Sequence, residues 1–225
     1  MVEGRAVTVV DLDGTLVQGN TLHLYLRAAL RCLWWRRPLT TLWVASLMAS
    51  RAVRLIPHST MKYGVARAVG ADIRVIARLK RMVQFNPDVE RLINERRNQG
   101  DDVVLATAAF GFYAKELWEG ELIASDLSEG RETECRGERK AAAVSAYLDK
   151  CNATLACVIT DHYDDLPLLR LHASGPNYLI RPSQSTIAAI GEIKAQIIGK
   201  GMVDFLPGCG QKSAIWVKNP RFLDI

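Results

Sequence analysis

The stretch Val7–Asn20, VTVVDLDGTLVQGN, decides how this chain is read. Arg5 to Val10 is short and mostly β-branched, the composition of a buried strand. It stops at Asp11 and Asp13, one residue apart, with Gly14 and Thr15 behind them. Two carboxylates that close are costly unless something positive stands between them. Gly14 lets the chain turn tightly beside whatever the acids hold. A pair of aspartates at a strand end is by itself an ordinary turn or cap signal. The rest of the chain has to show whether it is more.

Working outward, Leu22, Leu26, Leu30 and Leu33 recur at helical spacing, with Arg27 and Arg31 off that stripe. Pro38, Pro57, Gly64 and Gly70 break the following region into several helices. A further helix has Asn86 as N-cap, Pro87 at its first position, Asp88 and Glu90 in its first turn, Arg96 and Arg97 in its last, and Gly100 beyond. DDVVLATAA (101–109) predicts a second buried strand ending at Thr107, and Phe110 to Trp118 a helix. ELIASD (121–126) predicts a short strand, and ERKAAAVSAYLDKC (138–151) a helix with Lys140 in its first turn. LACVITD (155–161) is another strand, DLPLLRLHA (165–173) a helix, and NYLI (177–180) a last strand before Arg181 and Pro182. Strands alternating with helices imply an α/β core with a mostly parallel sheet. The helical block after the first strand is too long for a crossover. The expected division is a core of residues 1–18 and 96–225, with an inserted helical cap of 19–95.

At 225 residues, 49% apolar and 24% charged, the chain is globular and large enough for one core with an insertion. The five cysteines, Cys32, Cys135, Cys151, Cys157 and Cys209, are odd in number and lack zinc-ligand spacing. They read as reduced thiols of a cytoplasmic protein. The N-terminus has no signal-peptide pattern. His23, His58 and His172 read as structural, and Cys135 and Cys157 as buried bystanders.

The net charge of +5 is unevenly spread. Thr21 to Ala71 holds no Asp or Glu but eight bases: Arg27, Arg31, Arg36, Arg37, Arg51, Arg54, Lys62 and Arg67. Such a field suits an anionic partner. Within it, Pro38 to Ser50 is uncharged and flanked or occupied by Trp34, Trp35 and Trp43. That run is too short to span a bilayer, which takes about 20 apolar residues. Two readings stay open: a helix lying in an anionic membrane surface on its cytoplasmic side, or the packed core of a soluble cap. No nucleic-acid-binding motif accompanies the bases, so no nucleic acid is expected.

In an open α/β sheet, ligands bind beyond the carboxyl ends of the strands. Asp11 and Asp13, Thr107, and Asp161 with Asp164 and Asp165 all fall there, and Lys140 starts the helix between the last two. Carboxylate oxygens with room for water suit Mg²⁺, and no His/Cys cluster suits zinc. A phosphate would supply the remaining oxygen ligands and would bind Thr107 and Lys140.

Taken together, DLDGT (11–15), VVLATA (103–108), GERK (137–140) and TDHYDDLPLL (160–169) resemble, in order, the four motifs of the haloacid dehalogenase (HAD) superfamily of phosphohydrolases, whose core is a Rossmann-like α/β fold. The insertion after the first motif is similar to the type 1 cap of the phosphoserine phosphatase-like branch. CRGERK and DDLPLL, with the basic apolar cap, look most like phosphatidylglycerophosphatase C-type members. The resemblance implies a phosphatase in which Asp11 is the nucleophile that forms an aspartyl-phosphate, and Asp13 the general acid and then base. It implies Mg²⁺ held by Asp11, the Asp13 carbonyl and Asp161, and a phosphoryl group bound by Thr107, Ala108 and Lys140. Asp165 is the better match to the family's second acid, as support for the metal shell or for Lys140, with Asp164 a surface neighbour, and Gly14 supports the site as the tight turn beside the phosphate. The substrate implied is a lipid-linked or amphiphilic phosphate. The alternatives are a small soluble phosphate of the phosphoserine kind, or a non-catalytic phosphate-binding scaffold. The chain departs from the family's Gly-Asp-Ser at Thr160-Asp161-His162, where His162 would crowd the metal site or touch substrate.

Overall fold

The computed structural model describes residues 5–129, 134–191, 193 and 195–198. Its sheet has six parallel strands in the order β3-β2-β1-β4-β5-β6. These are β1 (Arg5–Val10), β2 (Asp102–Phe110), β3 (Glu121–Ser125), β4 (Ala153–Thr160), β5 (Asn177–Ile180) and β6 (Ala195–Ile198). That order is the doubly wound one, whose reversal point lies between β1 and β4. The Asp11 N–H donates to the Ile159 carbonyl at 2.9 Å, tying the ends of those two strands together.

Both sheet faces are covered, which is why the strands read as apolar runs rather than alternating ones. Val7, Val9, Val104 and Ala106 pack against Ala141, Val144 and Leu148 of α7 (Glu138–Cys151). Val10, Val103 and Leu105 join the opposite core with Val89, Leu92 and Ile93 of α5 (Pro87–Asn98). In β4 the pairing with β1 slips past Ala156. Leu155 and Val158 therefore face α7, while Cys157 and Ile159 face the other core.

The segment between β1 and α5 folds as α1 (Thr21–Leu33), α2 (Pro38–Ala52), α3 (His58–Val69) and α4 (Ile73–Met82). Leu22, Leu26 and Leu33 of the expected stripe are buried on α1, and Leu30 is half-buried. The outgoing and returning chains run side by side. The Gln18 N–H donates to the Gln84 carbonyl (2.8 Å), and the Asn86 N–H to the Leu16 carbonyl (2.8 Å). An aromatic joint closes the block onto the sheet: Tyr25 stacks on Tyr113 at 5.2 Å, and Tyr63 meets Phe110 edge-on at 4.9 Å. No helix of the described residues is long and apolar enough to cross a membrane.

Several element boundaries differ from the sequence reading. β2 runs past Thr107 to Phe110, because Phe110 resumes pairing with Ser125 after an irregularity. The helix expected over Phe110–Trp118 is only α6 (Gly111–Ala114), after which Glu116 and Leu117 make tighter i→i+3 bonds. The helix after Asp165 is α8 (Leu166–Leu169), preceded by a 3₁₀ turn at Tyr163–Asp165. It ends early because the Ser174 and Gly175 N–H groups are drawn back to the Leu155 and Ala156 carbonyls, at 2.9 and 2.8 Å. Helix α9 (Gln184–Ile190) and β6 lie beyond the last element read from sequence. Cys32, Cys135, Cys151 and Cys157 are free thiols, and Cys209 lies outside the described residues.

Candidate active site

A cavity of about 430 Å³ lies at the carboxyl edge of β1, β2 and β4. Asp11, Asp13, Gly14, Thr107, Ala108, Lys140, Asp161, Asp164 and Asp165 all line it, so the fold brings every sequence-predicted site residue to one place.

Lys140 is the centre of the charge arrangement. It enters from the first turn of α7 and is buried, with Nζ 2.7 Å from Asp11 Oδ1 and 2.8 Å from Asp165 Oδ2. The Thr160 hydroxyl donates to the same Asp165 oxygen at 2.6 Å. Burial works against the ammonium charge, but Asp11 and Asp165 outweigh it and hold the Lys140 pKa well above the ordinary lysine value. Asp165 is itself buried. Asp164 turns outward to Arg136, whose Nε donates to it at 2.8 Å, and to His162 Nδ1 at 3.1 Å. His162 also accepts the Asp164 N–H and stacks on Tyr163 with ring centres 4.1 Å apart.

The three other acids are short of positive partners. Burial pushes the Asp11 carboxyl up, and Lys140 only partly offsets it. Burial also raises Asp13, against the N–H of Thr21, which donates to Asp13 Oδ1 at 2.5 Å from the start of α1. Asp161 is raised by burial, with the neighbouring His162 and the Thr15 hydroxyl (3.3 Å) pulling the other way. Gly14, at φ +81°, admits Asp161: a Cβ there would stand 2.1 Å from Asp161 Oδ2. A set of half-buried carboxylates with too little positive charge fits a hard divalent cation. Among the described residues no three His, Cys, Asp or Glu side chains form a metal-holding group, so a cation here would rest on carboxylates, main-chain oxygen and water.

Thr107 is buried, and its hydroxyl oxygen accepts the Ala109 N–H at 3.0 Å, which leaves its own O–H to donate. The Ala108 carbonyl accepts from Ser125 Oγ at 2.7 Å and from Lys62 Nζ at 2.6 Å.

Lys62 is the main residue that sequence reasoning missed. It reaches the cavity from α3 and also pairs with Glu134, bridging the helical block to the second-motif strand and to the segment before α7. One signal pointed to it: Lys62 is the single lysine in an acid-free stretch whose other bases are all arginine. His58, read as structural, also lines the cavity, as do Tyr113 and Arg136.

Residues 8–170 match the family model described as haloacid dehalogenase-like hydrolase. Among solved structures, a Bordetella pertussis Tohama I protein of unknown function superposes with a TM-score of 0.69 at 19% identity, covering 87% of this chain and 99% of that one. A phosphoserine phosphatase in apo form gives 0.57 at 16% identity, over 87% and 94% of the two chains. A phosphoserine phosphatase bearing a phospho-aspartyl intermediate analogue gives 0.56 at 14%, over 84% and 92%. At these identities the likeness carries the fold. No curated protein matches the chain by sequence.

Proposed function

The chain belongs to the haloacid dehalogenase-like hydrolases, and from that premise we propose that it is a Mg²⁺-dependent phosphomonoesterase working through an aspartyl-phosphate. The observation that carries the reading is the Asp11–Lys140–Asp165 chain beside a further half-buried acid, Asp13, in one cavity. Asp11, the Asp13 carbonyl and Asp161 would hold the Mg²⁺, which supplies charge neutralisation for an anionic phosphate.

An Asp11 oxygen attacks phosphorus while the bond from phosphorus to the alcohol oxygen breaks. Lys140 cancels the repulsion between that carboxylate and the phosphoryl oxygens, and Asp165 with Thr160 fixes the direction of the ammonium. Thr107 and Ala108 bind the phosphoryl group at the end of β2. Asp13 gives its proton to the leaving oxygen, a task suited to a carboxyl raised by burial. The resulting Asp13 carboxylate takes a proton from water, whose oxygen attacks the aspartyl-phosphate. Phosphate leaves, and Asp11 is restored. The solved relative holding a phospho-aspartyl analogue is in keeping with this route.

Helices α1–α4 act as the cap that selects the substrate. Their basic, outwardly apolar flank runs into His58 and Lys62 at the cavity, which favours a lipid-linked or otherwise amphiphilic phosphate. The polar lining favours a small soluble phosphate instead, and the phosphoserine phosphatase likeness stands behind that second reading.

The experiment is phosphate release from p-nitrophenyl phosphate and a panel of lipid and soluble phosphomonoesters, with and without Mg²⁺. Asp11→Asn should lower turnover by at least about 10³-fold, as loss of a covalent nucleophile does. Full activity in that variant would rule out the covalent route.

A further inference from the structure

The side of α2 turned away from the protein is apolar, and we infer that it docks on an anionic lipid bilayer. A helix on the surface of a globular protein needs one apolar face. Helix α2 has two. The inner face buries Thr41 and Val44, with Leu47 and Met48 half-buried against the core. On the opposite side Leu39, Leu42 and Trp43, at i, i+3 and i+4, stand exposed, Leu39 by 80%. The flanks continue the surface: Trp35 is 88% exposed and Trp34 lies beside it, and Leu55 is 77% exposed with Val53 nearby.

Charge identifies the occupant. Arg31, Arg36, Arg37 and Arg54 are exposed around these side chains, Arg51 is half-buried, and no acid occurs from Thr21 to Ala71. A second copy of the chain docked about a two-fold axis would set these arginines against their own equivalents with no carboxylate between them. Residues 199–225 carry four bases (Lys200, Lys212, Lys218, Arg221) against two acids (Asp204, Asp224), so they do not supply the missing charge either. A bilayer with anionic headgroups meets both needs. Hydrocarbon takes up leucine and the indole bodies, the indole N–H groups stay at the headgroup level, and arginines meet phosphate. At 15 residues α2 is too short to span, so it lies in the plane of the surface.

The docked face adjoins the catalytic cavity. His58 lines that cavity three residues after Leu55, and the Arg51 charge acts on it. Resting on the phosphatase reading, this placement would present the cavity to phosphate groups carried by lipids of the same surface.

The test is co-sedimentation of the full chain, without substrate, with phosphatidylcholine vesicles and with vesicles containing phosphatidylglycerol. Binding is expected to the anionic vesicles only, with a blue shift of tryptophan fluorescence and loss of binding as salt rises. Arg36→Gln and Arg37→Gln should each weaken it about five-fold. A Trp35→Ala/Leu39→Ala/Leu42→Ala variant should weaken it by more than about tenfold, with an unchanged circular dichroism spectrum because these side chains are exposed. No binding to anionic vesicles at low salt overturns the proposal. So does equal binding by the triple variant, or a dimer in sedimentation that the same substitutions dissolve while vesicles go unbound. Asp11→Asn should bind vesicles like the wild type. If the wild type binds vesicles but releases phosphate from nothing, the catalytic reading fails and the docking surface stands.

Discussion

Asp164 and Asp165 are neighbours in sequence with unlike surroundings. Asp165 is buried and holds the ammonium of Lys140 together with the Thr160 hydroxyl, whereas Asp164 sits at the rim with Arg136 and His162. Asp165→Asn should therefore cost about 2 kcal/mol in urea unfolding and lower turnover about 10–100-fold, since it withdraws a charged partner from a buried lysine. Asp164→Asn should change stability by less than about 1 kcal/mol, because its ion pair is partly in water. Gly14 makes a second residue-scale prediction. In Gly14→Ala the new methyl would collide with Asp161, which must swing away. Turnover and Mg²⁺ affinity should fall about 10–100-fold, read as kcat/KM against Mg²⁺ concentration, in a protein that still folds. The sequence marked Gly14 as a turn residue. Its contact with Asp161, 147 positions later, became visible only when β1 and β4 lay side by side.

At the scale of elements, legibility followed how local the determining interactions are. Helix α5 fell where its capping residues put it, because those signals lie within a turn of the boundary they set, and α7 occupies the span read from sequence. The short α6 and α8 were over-extended, since each is cut off by bonds to a distant strand or by tightened turns that no periodicity announces. Lys62 is the element-scale case with a measurable energy. It pins α3 to the Ala108 carbonyl and to Glu134, with both side chains largely out of water. Lys62→Met alone should destabilise the protein by about 2 kcal/mol, because it leaves the largely covered Glu134 carboxylate without its ammonium partner. Adding Glu134→Gln should return part of that loss, and a double-mutant cycle in urea should show a coupling of about 1–3 kcal/mol. Strict additivity would mean that the pair does not hold the helical block to the core.

The whole molecule is a doubly wound sheet that concentrates acids at its reversal point, and a cation bound there would tie stability to proton and metal together. Burial raises the Asp11 carboxyl from the ordinary 3.8 to about 8. Between those two values the folded protein keeps a proton that the unfolded chain has released, so in EDTA stability should fall as pH rises from about 4 to about 8. A divalent cation held by Asp11, as proposed, would compete with that proton. Mg²⁺ should raise the melting temperature more at pH 8 than at pH 5; an equal rise at both would show that the cation does not engage this carboxylate. The sequence by itself determined the chemistry on offer: acids, a hydroxyl and an ammonium at the ends of successive strands, and a basic, acid-free helical insertion. Those are properties of residue type, spacing and local caps, which a linear chain displays in full. The tertiary structure alone decided that Asp165, held by Thr160, shares the ammonium of Lys140 with Asp11, that Gly14 makes room for Asp161, that Lys62 crosses from the helical block into the cavity, and that one apolar face of α2 is left in water. Each depends on which distant segments the parallel sheet and its covering helices bring within a few ångströms, and burial and pairing exist only after that assembly.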